Sequence, residues 1–321
     1  MYKQTFESKF EVIEKLDGKF CDLLKISNRN TGKNFIAKRF RKPCKNLQSL
    51  LECPDVVLLQ KLPFHPNIFG LVEYFFETFG DRVTFLYDIV DANLREVIRE
   101  SAVGLKERVS RVYLRQMLHG LEHLHKNGFF HRNINPETIL VKNYSGTATE
   151  DQIVKLGGLE SVRGIYSSPP YTDCVNVNRY RAPEALIAKG FYGSKIDVWA
   201  LGCIFYEMMK GKQLFKGHTD IDQMEKIRNV LGNPRCILTS KLRQHMEPLM
   251  KTQSNSCLDH LLVDVSPKGR KLLRSMLEYE PDLRPNASRL LKNSYFMENP
   301  DKYEGRCSVG KWTQKMAASF S

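Results

Sequence analysis

Apolar positions alternate in short runs over roughly the first ninety residues, and the period then lengthens. FEVIEKL at 10–16, DLLKISNR at 22–29 and NFIAKRF at 34–40 carry strand spacing, and Asn28-Arg29-Asn30-Thr31-Gly32 predicts the turn between the last two. NLQSLLECPDVVLLQKL at 46–62 has helical spacing that Pro54 must kink or divide. VEYFFETFGDRVTFLYDIV at 72–90 predicts two further strands joined at Gly80-Asp81. After about residue 92 the chain turns to amphipathic helices. In VSRVYLRQMLHGLEHLHKNG, Val112, Met117, Leu121 and Leu124 fall on one stripe, and Gly128 is placed to end the helix. KIDVWALGCIFYEMMKG at 195–211 is apolar almost all round, as a helix buried inside a larger lobe must be. KNYSGTATEDQ at 142–152 is the one polar excursion, expected as a loop between two short strands, and periodicity fades after Phe296. The pattern predicts an α+β chain. It has an extension at 1–9, a small β-rich lobe at about 10–90, a larger helical lobe at about 91–296, and a tail at 297–321.

Composition narrows the classes. At 321 residues and 42% apolar content the chain can bury a sizeable core. It has no apolar run long enough for a membrane span, and MYKQTFESKFEVIEK lacks the apolar centre of a secretory signal. Eight scattered cysteines without a Cys-x-x-Cys pair suggest neither a zinc knuckle nor a disulfide framework, so a reducing compartment, cytosol or nucleus, is expected. The net charge of +13 invites a nucleic-acid reading, but the basic residues are dispersed and no block exceeds KRFRK at 38–42. Scattered surface lysine is the plainer account. Such an excess still steers a protein toward acidic partners.

Several short motifs stand in a telling order: FIAK ending at Lys38, HPNI at 65–68, HRNINPETIL at 131–140, VKLGGLE at 154–160, RAPE at 181–184, DVW at 197–199 and EPDLRP around Arg284. From Phe10 to Phe296 they resemble a protein kinase. YRAPEALIAKGFYGSKIDVWALGCIFYEMMKGKQLFKG followed by DQMEKIRNVLGNP is similar to the branch that holds cyclin-dependent and MAP kinases, the CMGC branch, and most of all to its MAK/MOK group. The resemblance implies a bilobal kinase fold with a buried Glu184–Arg284 ion pair and Asp197 opening the buried helix. It also implies a phosphorylation site at Tyr171-Thr172-Asp173-Cys174, where Thr172 remains and Cys174 stands at the tyrosine position.

Phosphoryl transfer needs a phosphate clamp, metal ions held by carboxylate and amide, and a carboxylate near the attacking hydroxyl. Against the kinase pattern, KLDGKFCDLL keeps only Gly18 of the glycine loop, with Asp17 and Cys21 at the other glycine positions; an ordinary hairpin is the alternative. Lys38 matches the lysine that grips the phosphates, with Asp55 as its helix partner, or is simply a strand lysine. Ile36 stands in place of the small residue that roofs the adenine. Asn133 replaces the catalytic aspartate, Asn135 the loop lysine, Thr138 the metal-binding asparagine and Gly158 the metal-binding aspartate. An amide cannot take the substrate proton as a carboxylate does, and glycine has no ligand atom. Glu137 or Glu160 would have to rescue the metal. His131 and Arg132 are expected to hold the loop and the activation segment, and Leu159 to pack in place of phenylalanine. Val177 and Asn178 replace a Thr-Arg pair of the substrate groove.

The resemblance therefore implies a catalytically impaired kinase, a pseudokinase acting as a scaffold or allosteric module. ATP is expected to bind weakly at best and magnesium not at all. The expected partner is a protein, an active kinase or its substrate. The alternative is a divergent Ser/Thr kinase with residual nucleotide binding. His119, His123 and His125 offer a lesser candidate for zinc, and Tyr87 is expected to pack behind the adenine slot.

Overall fold

The structure, a computed structural model, describes residues 6–16, 21–41, 47–77, 82–171, 178–187, 190–233 and 256–297. The small lobe begins with α1 (Phe6–Lys9), β1 (Phe10–Leu16), β2 (Cys21–Asn28) and β3 (Asn34–Phe40), followed by α2 (Leu47–Leu51) and α3 (Pro54–Lys61). It closes with β4 (Glu73–Glu77) and β5 (Arg82–Asp88), and the five strands form one antiparallel sheet in the order β1-β2-β3-β5-β4. The predicted β2–β3 turn is made by Asn28, whose Oδ1 accepts from the backbone N–H of Asn30 (2.9 Å) and Thr31 (3.0 Å). Gly32 supplies the positive φ of +66°.

Alternation along β3 sorts its side chains. Phe35 and Ala37 are buried with Phe6, Phe10, Leu24, Ile26 and Leu86, leaving Ile36 and Lys38 on the opposite face. Phe6 lies in the segment expected as an extension, yet it packs within this cluster, its ring 5.4 Å from Phe10 and edge-on to Phe75 at 5.5 Å. Pro54 divides the helical stretch: Cys53 is extended, and Pro54 opens α3, where its missing N–H costs nothing.

The large lobe comprises β6 (Ala92–Asn93), α4 (Leu94–Glu100), α5 (Glu107–Lys126), β7 (Phe129–Phe130), β8 (Ile139–Lys142), β9 (Ile153–Leu156), β10 (Arg163–Gly164) and α6 (Pro183–Ile187). It continues through α7 (Lys195–Lys210), α8 (Asp220–Leu231), α9 (Leu258–Leu261), α10 (Pro267–Met276) and α11 (Ala287–Leu291). The stripe on α5 and every residue of α7 from Ile196 to Met209 are buried in one core cluster or beside it, as the pattern predicts. The polar excursion connects β8 to β9.

HPNI joins the lobes. The Asn67 side chain donates to Gln116 on α5 (3.0 Å) and to the Val154 carbonyl (2.8 Å), while the Asn67 carbonyl accepts from Leu156 N–H (2.9 Å). A Cβ on Gly120 would lie 2.6 Å from the Asn67 carbonyl oxygen, so glycine is what lets α5 approach this link.

Candidate functional site

The loop at 131–138 hangs from one buried carboxylate. Asp197, at the start of α7, accepts from the backbone N–H groups of His131 and Arg132 and from His125 Nε2, each at 2.9 Å. Burial would push its carboxyl up, but these donors and the nearby imidazoles outweigh burial and hold it below the usual range. His131 Nε2 donates to the Gly157 carbonyl (2.8 Å), tying the loop to the segment after β9, and burial pushes its imidazole pKa down. Arg132 sits at φ +70° and reaches the Ser161 carbonyl (3.2 Å) and the Tyr192 hydroxyl (2.8 Å). Beneath the loop, Arg284 is fully buried and pairs side by side with Glu184, one oxygen at 2.7 Å. The backbone of His131 and Arg132 is thus tied to Asp197, and Glu184 to Arg284.

The positions that should do chemistry bond to one another instead. Asn135 Nδ2 donates to Asn133 Oδ1 (3.0 Å) and to the Asn133 carbonyl (3.2 Å). Thr138 Oγ1 donates toward the carbonyls of Asn133 (2.8 Å) and Asn135 (3.0 Å) and accepts from Asn135 N–H (3.1 Å). Gly158 is left-handed at φ +70°, ψ 38°, and a Cβ built on it would lie 2.5 Å from Thr138 Cγ2 and 2.9 Å from Thr138 Cβ. The threonine methyl fills the volume through which a side chain at 158 would leave the backbone. The magnesium ion that the resemblance implies does not fit these residues. Gly158 gives no oxygen, and the Thr138 hydroxyl is committed to two carbonyls. Of the two proposed rescuers, Glu137 pairs with Arg95, and Glu160 is exposed and adds to the rise in the Asp55 pKa. Among the described residues no three His, Cys, Asp or Glu side chains gather to hold a metal.

The expected Lys38–Asp55 pair needs correction. Lys38 makes no ion pair among the described residues, and its ammonium lies over the Phe40 ring at 5.3 Å. Asp55 accepts instead from the Tyr87 hydroxyl at 3.0 Å. The aspartate is one methylene shorter than the glutamate the kinase pattern expects. Tyr87 lies next but one to Phe85, the β5 residue opposite Lys38, and its long phenol reaches α3 first. Burial drives the Asp55 carboxyl above the usual range despite that hydrogen bond, and Glu160 adds to the rise. The same burial, with Asp55 alongside, pushes the Tyr87 phenol up. Phe69 stacks on Tyr87 at 5.6 Å and 14°, and Ile36 is paired with Tyr87 across β3 and β5. Tyr87 therefore does more than pack. Leu159 is buried in the cluster that contains Leu58 of α3 and Ile68, so apolar contact between the lobes persists without the phenylalanine.

The histidines go elsewhere. His123 Nε2 donates to the Pro63 carbonyl (2.8 Å) and its ring stacks on His65 at 4.7 Å, while His125 serves Asp197. Gly18, Thr172, Asp17, Cys174 and Val177 lie outside the described residues, and Asn178 begins a short 3-10 turn ending at Tyr180. Sequence reasoning missed the Tyr87–Asp55 bond and the fit of Thr138 against Gly158. Each joins residues far apart in the chain, and no spacing rule signals it.

Residues 10–296 match the family model for the protein kinase domain. The chain is 32% identical over 284 residues to human "MAPK/MAK/MRK overlapping kinase", covering 88% of this chain and 66% of that protein. It is also 32% identical over 293 residues to mouse "Serine/threonine-protein kinase ICK", covering 90% of this chain and 45% of that protein. The chain thus spans about two thirds or less of the length of these relatives. Among solved structures, a chain of the yeast RNA Pol II CTD kinase CTDK-1 complex superposes with a TM-score of 0.79 at 24% identity, over 94% of this chain and 96% of that one, a likeness of fold.

Proposed function

We propose that this chain, which belongs to the protein kinase family, is a catalytically inactive member that acts by binding, as a scaffold or allosteric module in phosphorylation signalling. Its homology is to the MAK, MOK and ICK kinases of the CMGC branch. The observation that carries the proposal is the approach of Thr138 to Gly158, where a methyl group stands 2.5 Å from the point at which the Cβ of a metal-binding side chain would begin. Asn133 adds to it, because its amide is engaged by Asn135 and cannot act as a base. Residues of a catalytic unit fail together, so a single rescuing carboxylate restores little. The partner under this proposal is an active kinase or its substrate, in cytosol or nucleus.

The names of the relatives favour a second reading, a divergent Ser/Thr kinase, and Lys38 remains available to a nucleotide phosphate. Thermal unfolding with ATP alone, magnesium alone and both, on the intact chain and on Lys38→Ala, separates the two. Inactivity predicts that magnesium adds nothing to any shift ATP produces, and that no phosphate reaches a generic basic protein substrate. A magnesium-dependent shift, with phosphate transfer that Lys38→Ala abolishes, would overturn it.

A further inference from the structure

Away from the degenerate loop, α9 and α10 frame an open groove of about 440 Å3 lined by Asp259, Pro267, Arg270, Lys271 and Arg274. The sequence of α10, PKGRKLLRSM, explains it. Gly269, Leu272, Leu273 and Met276 are buried in the lobe, which turns Lys271 and Arg274 to solvent with Arg270 half-exposed beside them. The helix contains no acid, and Arg270 and Lys271 stand four and three residues before Arg274, spacings at which like charges repel. The N-terminus of α10 is already satisfied. The Ser266 hydroxyl accepts from Gly269 N–H (3.1 Å), and Glu107 of α5 accepts from Ser266 N–H (3.0 Å) and Oγ (2.6 Å).

One carboxylate reaches the groove. Asp259 of α9 pairs with Arg274, which shows the guanidinium presented in the orientation a carboxylate takes. Arg270 and Lys271 make no ion pair among the described residues. The chain's own remaining segments offer little to neutralise them. Residues 234–255 carry Arg235, Lys241, Arg243 and Lys251 against Glu247 alone, and residues 298–321 also have more basic than acidic side chains. A cluster of cations that repel one another, met by a single carboxylate among the described residues, suits an acidic visitor. No aromatic ring lines the groove to stack a base, which disfavours single-stranded nucleic acid.

We infer that the groove between α9 and α10 docks a carboxylate-rich segment of a partner protein, seated on Arg270, Lys271 and Arg274. This holds whether or not the chain transfers phosphate, and it names a surface separate from the nucleotide cleft.

The test is fluorescence anisotropy of a short fluorescein-labelled poly-glutamate peptide with the whole chain at low salt. Arg270→Glu/Lys271→Glu is expected to weaken binding about tenfold or more, the scale of losing two exposed ion pairs and gaining repulsion. Lys212→Glu/Lys292→Glu, the same change of charge at exposed positions elsewhere, is expected to leave affinity within about twofold by the same reasoning. Should the charge reversal fail to fold, as thermal unfolding would reveal, Arg270→Gln/Lys271→Gln replaces it with the same expected direction. The inference is overturned if the peptide does not bind at low salt, or if both charge-reversal variants weaken it equally. It is overturned too if an oligo-dT strand binds more tightly than the peptide and loses affinity in the groove variant.

Discussion

Restoring aspartate at position 158 tests whether the loss of the metal ligand is built into the packing. Any side chain there carries a Cβ at φ +70°, a conformation that costs an L-residue about 1–2 kcal/mol. That Cβ also meets Thr138 Cγ2 at 2.5 Å, and overpacking of this kind costs about 1–3 kcal/mol. Gly158→Asp alone should therefore lose about 2–5 kcal/mol. Thr138→Ser removes the methyl but keeps the hydroxyl that bonds Asn133 and Asn135, and by itself should cost about 0.5–1.5 kcal/mol. In the double variant the 2.5 Å clash with Cγ2 is gone while the 2.9 Å approach to the residue-138 Cβ and the backbone strain stay, so the two changes should couple favourably by about 1–3 kcal/mol. Urea unfolding of the four proteins, read from midpoints at constant slope, gives that coupling directly. If the two losses simply add, the methyl of Thr138 is not what excludes a side chain from position 158, and the structural basis proposed for inactivity fails.

The remaining predictions concern buried charge. Tyr87→Phe strips Asp55 of its donor and should cost about 1–3 kcal/mol at neutral pH, measured by the same unfolding assay. Because burial raises the Asp55 pKa, the folded state keeps that proton to higher pH than the unfolded chain. Stability should therefore decline as pH rises from the ordinary carboxylate pKa through the raised one, and Asp55→Asn should remove that decline. His65 has the opposite sense. Its imidazole is pushed down to about 4 by burial, with His123, His119 and Lys155 adding, so the unfolded chain takes up the proton first. Thermal stability should fall as pH drops from the ordinary histidine pKa toward 4, and less steeply in His65→Gln. Glu184→Gln leaves the fully buried Arg284 without its counter-charge and should cost about 3–5 kcal/mol, seen as a lowered urea midpoint.

The scaffold was legible because its signals are local or periodic. Alternation along NFIAKRF, the Asn28–Gly32 turn, the break at Pro54 and the apolar span of 195–211 each specify structure within a few residues. Asp197 and the Glu184–Arg284 pair were legible for another reason, since short motifs in fixed order carry them. The cleft was harder to read. Matching Asp55 to Lys38 assumed that position along a motif fixes a partner, whereas reach decides it. A carboxylate shortened by one methylene is taken by a phenol that enters from β5. Phe6 was read as part of an extension because a lone apolar residue before a strand has no period, yet its burial with Phe10 and Phe35 places it in the core.

The frame and the cleft differ in what a change costs. The interior of α7, Asp197, Arg284 and the Asn67 link are buried polar or apolar groups whose loss leaves an unpaired charge, an orphaned donor or a cavity, so the frame tolerates little alteration. The groups at the nucleotide and metal positions bond among themselves. Asn135 turns to Asn133, Thr138 closes on Gly158, and Tyr87 takes Asp55 from Lys38. The Asn135–Asn133 and Tyr87–Asp55 bonds satisfy polar groups within the cleft. Under the proposed inactivity, metal binding would take several concerted changes, since one carboxylate added at 158 meets Thr138. Tyr87→Phe makes the point measurable beyond its stability cost. Freeing Asp55 should not by itself confer magnesium-dependent nucleotide binding, because Gly158 and Thr138 remain as they are. A magnesium-dependent thermal shift in that single variant would show the cleft to be gated by Tyr87 rather than dismantled.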